Sequence, residues 1–182
     1  MKRIKILTLA TVLMLLLVAC SSGGETKTES KSNETTTTTA SAGEAAPDFT
    51  LTDVNGKTHS LKDYEGKKIY VKFWASWCPI CLAGLEELNT LQNTKKDFEV
   101  LTVVAPGYKN EKNTADFKKW FSGVEEAPDI TVLLDEGGKI ADQYGVRGYP
   151  TSAYISSDGK VVQTLPGHAS NEQIIEKFKE IK

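Results

Sequence analysis

From about residue 45 onward, the apolar positions follow two rhythms in turn. In "FTLTDVNGKTHSL", residues 49–61, they alternate with polar ones on either side of Asn55-Gly56, which predicts a β-hairpin. Ser60 is placed to cap a short helical turn through Tyr64. "KKIYVKFWA", residues 67–75, is apolar and β-branched and reads as a buried strand; alternation puts Ile69, Val71 and Phe73 on one face and Tyr70, Lys72 and Trp74 on the other. A helix is expected from Pro79 to Thr94, with Cys81, Leu85, Leu88 and Leu91 along one side. "FEVLTVVAP" reads as a second buried strand. "NTADFKKWFS" reads as a helix with Phe117, Trp120 and Phe121 inward and Asn113 or Thr114 as its cap.

"DITVLLD" is a third strand, and "GGKIADQYG" a short helix that Gly145 can end in the left-handed conformation. "TSAYISSDGKVVQTL" is a hairpin around Asp158-Gly159. "SNEQIIEKFKEIK" is a closing helix capped by Ser170 or Asn171. The order β-β, βαβαβα, β-hairpin, α predicts an α/β domain. Strands separated by helices pair in parallel and the late hairpin is antiparallel, giving a mixed central sheet with helices on both faces.

The first 44 residues follow neither rhythm. Lys2, Arg3 and Lys5 precede an apolar run from Ile6 to Ala19, interrupted by Thr8 and Thr11, that ends "LVAC". This is signal-peptide length, short of the roughly 20 residues that span a bilayer. Small residues before Cys20 and a polar tail after it resemble a bacterial lipoprotein signal: residues 1–19 are removed and Cys20 is lipidated. An ordinary signal peptide or an uncleaved anchor is the alternative. Residues 20–44 are rich in Ser, Thr and Glu, have no aromatic or large aliphatic residue, and read as a tether with a mean reach of about 27 Å. The folded domain is then 45–182, held outside the cytosol near a membrane.

Charge narrows the partners. The chain has 22 basic and 24 acidic residues; without the three cations of the leader, 19 face 24, a net of −5. No basic patch stands out, which argues against nucleic acid.

The chemistry lies in the other two cysteines, Cys78 and Cys81 of "FWASWCPIC". Zinc needs four ligands, and there is no second pair; His59 and His168 lack ligand spacing, so no metal is expected. Haem attachment needs a histidine after the second cysteine, where Leu82 stands. A permanent disulfide over so short a loop adds little stability. A couple that opens and closes remains, with no cofactor. Cys78 falls at the start of a helix, where free N–H groups and the helix dipole favour a thiolate. Pro79 suits the first helical position. Cys81 follows one turn later on the same face. Cys78 is therefore expected to be the accessible nucleophile and Cys81 the sheltered, resolving thiol.

The motif "FWASWCPIC", with "GYPT" some 70 residues later, resembles the thioredoxin superfamily. The leading hairpin and the extra βα unit before "DITVLLD" make it similar to the membrane-anchored TlpA/ResA branch, and more narrowly to the surface lipoprotein thioredoxins of Gram-positive bacteria. The resemblance spans Ala45 to Lys182. It implies a thioredoxin-like fold in which Pro150 is cis and faces the cysteines. The Tyr149 backbone would pair with an extended substrate, Trp77 would flank the nucleophile, and Pro79 and Ile80 would tune the potential. Plain packing or turn roles are the alternatives for Trp77 and Tyr149.

Two positions depart from the family pattern. Lys72 stands where thioredoxins commonly carry a buried aspartate, and Gly84 where the TlpA/ResA branch often carries a glutamate, with Glu86 and Glu87 beyond it. Lys72 either stabilises a thiolate or runs to the surface with no role.

The resemblance implies a monomeric thiol–disulfide oxidoreductase acting on protein disulfides. Electrons would come from a CcdA/DsbD-type membrane transporter and pass to an extracytoplasmic methionine sulfoxide reductase or to cytochrome c maturation components. A disulfide-forming oxidase is the alternative direction. A thiol peroxidase fits less well, because Val71 and Ala75 stand where its signature needs proline and a hydroxyl. A non-enzymatic binding lipoprotein would leave the pair without a cycle.

Overall fold

The computed structural model describes residues 42–94 and 96–182. The leader, Cys20 and the tether as far as residue 41 lie outside the described residues.

Seven strands form one sheet in the order β2-β1-β5-β4-β3-β6-β7. The first hairpin is β1 (Thr50–Asp53) and β2 (Thr58–Ser60), antiparallel, with Thr50 opposite Ser60. A 3₁₀ turn, Leu61–Tyr64, follows; the Asp63 carboxylate accepts the Ser60 N–H at 2.7 Å. β3 (Lys68–Phe73) and β4 (Phe98–Val104) are parallel, as are β4 and β5 (Val132–Leu134). β6 (Thr151–Ile155) lies antiparallel to β3 and to β7 (Val161–Pro166). β1 runs antiparallel along β5 and so attaches the leading hairpin to the sheet. Gly43 donates to the Val161 carbonyl at 2.7 Å and Ala45 bridges Lys160, so chain pairing with β7 begins slightly before residue 45.

The alternation read in β3 is observed. Tyr70 and Trp74 enter one core with Cys78, Cys81, Leu85, Leu88, Phe117, Ile174 and Phe178. Ile69, Val71 and Phe73 enter the other with Ile140, Tyr144 and Ile155. The first core is covered by α2 (Leu85–Asn93), α3 (Thr114–Phe121) and α5 (Asn171–Glu180), and the second by α4 (Lys139–Gln143). Both long-range helices carry the caps expected of them: Asn113 accepts from Asp116 N at 3.0 Å, and Ser170 from Gln173 N at 3.4 Å. Trp74 meets Phe117 edge-on, with ring centres 5.9 Å apart.

The helix expected over Pro79–Thr94 is two helices. α1 (Pro79–Ala83) ends at Gly84, which has φ −97° and ψ 5°, before α2 begins. Glycine is a weak helix former, and this one also has a neighbour 84 residues away. A Cβ on Gly84 would lie 3.0 Å from Cε1 of His168, so the imidazole takes the space a side chain would fill. β5 is also shorter than the apolar run suggested; at its C-terminal end Asp135 turns its carboxylate back to accept the N–H groups of Ile140 (3.1 Å) and Ala141 (2.8 Å).

Candidate functional site: the cysteine pair and its surroundings

β3 ends at Phe73, and Trp74 N still reaches Val103 O at 3.1 Å. The chain then turns, with Cys78 N donating to Ala75 O at 3.2 Å, and Cys78 becomes the N-cap of α1. Its φ of −92° and ψ of 107° are extended, and Pro79 takes the first helical position, where a missing N–H costs nothing. Cys81, one turn on, is disulfide-bonded to Cys78 with the Cα atoms 5.2 Å apart. Cys81 N donates to Cys78 Sγ at 3.3 Å. The backbone therefore supplies a polar contact to the sulfur at the helix N-terminus, the position that favours a thiolate once the bond is open.

The expected contrast in exposure is absent from this oxidised pair: Cys78 is 3% exposed and Cys81 1%. The walls, rather than the sulfurs, face solvent. Trp77 is 46% exposed, Ile80 53% and Leu82 36%, an apolar rim around the disulfide. Next to Leu82 a groove of about 350 Å³ runs along Leu85, Trp120 and Val124, with Glu86 and Glu126 also lining it.

The Tyr149–Pro150 peptide is cis, as the resemblance implied. Pro150 is buried, and its carbonyl accepts from Gly167 N at 2.8 Å. Tyr149 meets Trp77 edge-on, with ring centres 5.9 Å apart, so the proline loop and the cysteine loop touch. The Tyr149 hydroxyl is buried with no hydrogen-bond partner among the described residues, and burial pushes its pKa up to about 12.

Lys72 is 3% exposed. It does not reach the surface, and no hydrogen bond to its ammonium is present among the described residues. Burial lowers its pKa, and the Glu87 charge works the other way. Glu87 is fixed from outside the helix: it accepts Asn171 N at 2.8 Å and pairs with His168 Nε2 at 3.0 Å. The displaced carboxylate of the TlpA/ResA pattern is thus joined to the imidazole that lies against Gly84. Among the described residues no cluster of three or more His, Cys, Asp or Glu could hold a metal.

One set of residues near the pair was not read from the sequence. Glu111 is 7% exposed; its carboxylate accepts Ser76 N and Ser76 Oγ, both at 2.6 Å. Lys112 Nζ donates to the same Oγ at 2.7 Å. In sequence, Glu111 lies in the polar loop "PGYKNEKN", with no local signal that it would be buried against a serine 35 positions earlier.

Comparison with known proteins agrees with this geometry. The Redoxin family matches residues 41–179. A Bacillus thuringiensis subsp. konkukian protein named thiol-disulfide oxidoreductase ResA is 34% identical over 139 residues, 76% of this chain and 78% of that one. A Haemophilus influenzae protein described as uncharacterized is 52% identical over 128 residues, 70% of this chain and 81% of its own. The crystal structure of the pneumococcal exposed lipoprotein thioredoxin Etrx1, from Streptococcus pneumoniae strain TIGR4, superposes with a TM-score of 0.71 at 48% identity, covering 74% of this chain and 100% of that one. The sheet, the helices and the cysteine pair at the start of α1 are those of a thioredoxin-like fold. The chain belongs to the Redoxin family, as a TlpA/ResA-like member of the thioredoxin superfamily and a thiol–disulfide oxidoreductase.

Proposed function

We propose that this oxidoreductase is a lipid-anchored reductase on the outer face of the cell membrane, with Cys78 as nucleophile and Cys81 as resolving thiol. The observation that carries the reading is the Cys78–Cys81 disulfide at the N-terminus of α1, with the cis-Pro150 loop touching its Trp77 wall. The Cys78 thiolate attacks one sulfur of a substrate disulfide, forming a mixed disulfide and expelling the first substrate thiolate. The Cys81 thiolate then attacks Cys78 Sγ, forms the internal disulfide and releases the second thiolate. Two electrons pass to the substrate, and its two sulfurs take up two protons.

Trp77 and the Tyr149-Pro150 backbone hold the extended substrate segment, and Ile80 adds apolar contact. Lys72, Pro79 and Ile80 set the potential. Cys20 carries the lipid, residues 20–44 tether the domain, and the domain works as a monomer. The likeness to an exposed lipoprotein thioredoxin and the leader sequence support this location. Electrons are returned to the pair by a CcdA/DsbD-type membrane thiol transporter. Recipients are an extracytoplasmic methionine sulfoxide reductase or cytochrome c maturation components.

Lys72, buried on the strand face whose core includes both cysteines, favours a second reading, a disulfide-forming oxidase, because a cation on that side stabilises a thiolate and with it the reduced form. Acid trapping and alkylation of Cys78 and Cys81 in intact cells separates the two. A mainly reduced pool supports the reductase; a mainly oxidised pool overturns it in favour of the oxidase.

A further inference from the structure

The loop after β4, residues 106–112, touches both walls of the reactive cleft. On one side, Glu111 clasps Ser76, two residues before Cys78, through the serine N–H and Oγ at 2.6 Å each. Lys112 Nζ closes the group on Ser76 Oγ at 2.7 Å and also lies 5.3 Å over the Trp120 ring. On the other side, Lys109 Nζ donates to the Val146 carbonyl at 2.5 Å, three residues before Tyr149, and the Tyr108 hydroxyl donates to Asp142 of α4.

The loop holds an uncommon conformation to do this. Lys109 (φ 46°) and Asn110 (φ 66°) are consecutive left-handed residues without being glycine. Such conformations are unfavourable for residues with a Cβ and persist where surrounding contacts over-determine them. Here those contacts are Gly107 N to Lys112 O at 3.0 Å, Glu111 N to Tyr108 O at 2.9 Å and the clasp on Ser76. A carboxylate buried to 7% exposure is retained only when its oxygens are satisfied, and this one accepts two bonds from Ser76 and one from Lys112 N at 2.7 Å.

We propose that Glu111 is a positioning residue of the thiol–disulfide reaction: through Ser76 it fixes the Ala75–Cys78 turn against the cis-proline wall, and its carboxylate shares Ser76 Oγ with the Lys112 ammonium two residues before the nucleophile. Glu111 is not a catalytic residue, since it meets no reacting atom. Two consequences separate its effects. Losing the clasp lets the turn drift, and a displacement of about 1 Å can cost up to a hundredfold in rate. Losing the negative charge while Lys112 still donates to Ser76 Oγ makes the surroundings of the turn more positive, which favours the Cys78 thiolate. Other charged or titratable groups around this assembly, among the described residues, include Lys109, Tyr108 and Tyr149, on the last of which Glu111 acts together with Asp135 and Asp142. The proposal rests on Cys78 being the attacking thiol.

The test uses the full chain, reduced, and follows iodoacetamide alkylation against pH with mass mapping of the labelled cysteine, alongside insulin reduction. In Glu111→Gln, the alkylation profile of Cys78 should move to lower pH by about half a unit, while the insulin rate falls at least tenfold. In Glu111→Gln/Lys112→Gln, the profile should return toward wild type and the insulin rate stay low. Ser76→Ala serves where Glu111→Gln fails to fold, with the insulin rate expected to fall at least threefold. An unshifted profile and an insulin rate within twofold of wild type in Glu111→Gln, or in Ser76→Ala if that is the folded variant, would overturn the proposal. Labelling of Cys81 before Cys78 in the unmutated chain would instead overturn the assignment of the nucleophile.

Discussion

Lys72 of β3 is buried on the side of the sheet that holds the cysteines, and the charge of opposite sign that acts on it is that of Glu87, itself held by His168 at 3.0 Å. The ammonium is buried on the strand face shared with Tyr70 and Trp74, whose core includes both cysteines. A lysine lying unused along the surface is not what this position holds. Lys72→Asp should raise the cysteine pKa values and lower the potential, by roughly 30 mV for each pKa unit on one thiol. Redox titration against glutathione reads this directly; a shift well under 10 mV with the fold intact excludes Lys72 from the chemistry.

The same burial sets a dependence of stability on pH. Burial lowers the Lys72 pKa below its ordinary 10.5. Between the folded value and 10.5 the unfolded chain therefore holds more protons than the folded one, and this group's contribution to stability rises with pH. Below that window the cost of burying the charge is constant. Lys72→Met should accordingly be more stable than wild type at neutral pH, on the order of 1 kcal/mol, with the difference shrinking as pH climbs toward 10.5. Paired urea titrations at neutral and alkaline pH measure that difference, and a constant or reversed gap contradicts it.

Cys78→Ser should abolish insulin-disulfide reduction, whereas Cys81→Ser should accumulate mixed disulfides with its partners, visible on non-reducing gels. The asymmetry follows from the N-cap position of Cys78, since the burial of the oxidised pair does not distinguish the two. Faster alkylation of Cys81 in the reduced protein would reverse the roles.

Gly138→Ala should destabilise the fold by about 1–3 kcal/mol. Gly138 has φ 76°, and a Cβ there would clash with the ring of Tyr108, within the loop that carries Glu111. Thermal unfolding checks this, and a melting temperature equal to wild type would show that Tyr108 can move aside freely.

Cys20→Ala should release the chain into the medium with its activity on a soluble disulfide intact. Fractionation of cells and an insulin assay on the medium decide the point. Retention in the membrane fraction would show that the leader anchors the chain without lipid.

What the sequence determined by itself was local. Strand and helix rhythms, the Asn55-Gly56 and Asp158-Gly159 turns, the caps at Asn113 and Ser170, and the placement of Cys78 and Cys81 one turn apart all depend on residues a few positions from one another. Alternation alone put Lys72 on the face with Tyr70 and Trp74. Tertiary structure decided what depends on residues far apart in the chain. His168 packs into the space beside Gly84, Glu111 reaches Ser76 across 35 positions, and Glu87, whose charge acts on Lys72, pairs with His168. It also decided that both cysteines are covered while Trp77 and Ile80 are open. Such contacts form only after the sheet order brings distant loops together, and a polar loop carries no periodic signal of its eventual neighbour. Burial of Glu111 and Lys72 opposes the ordinary preference of charged groups for water, and only specific partners and packing in the assembled fold hold them there.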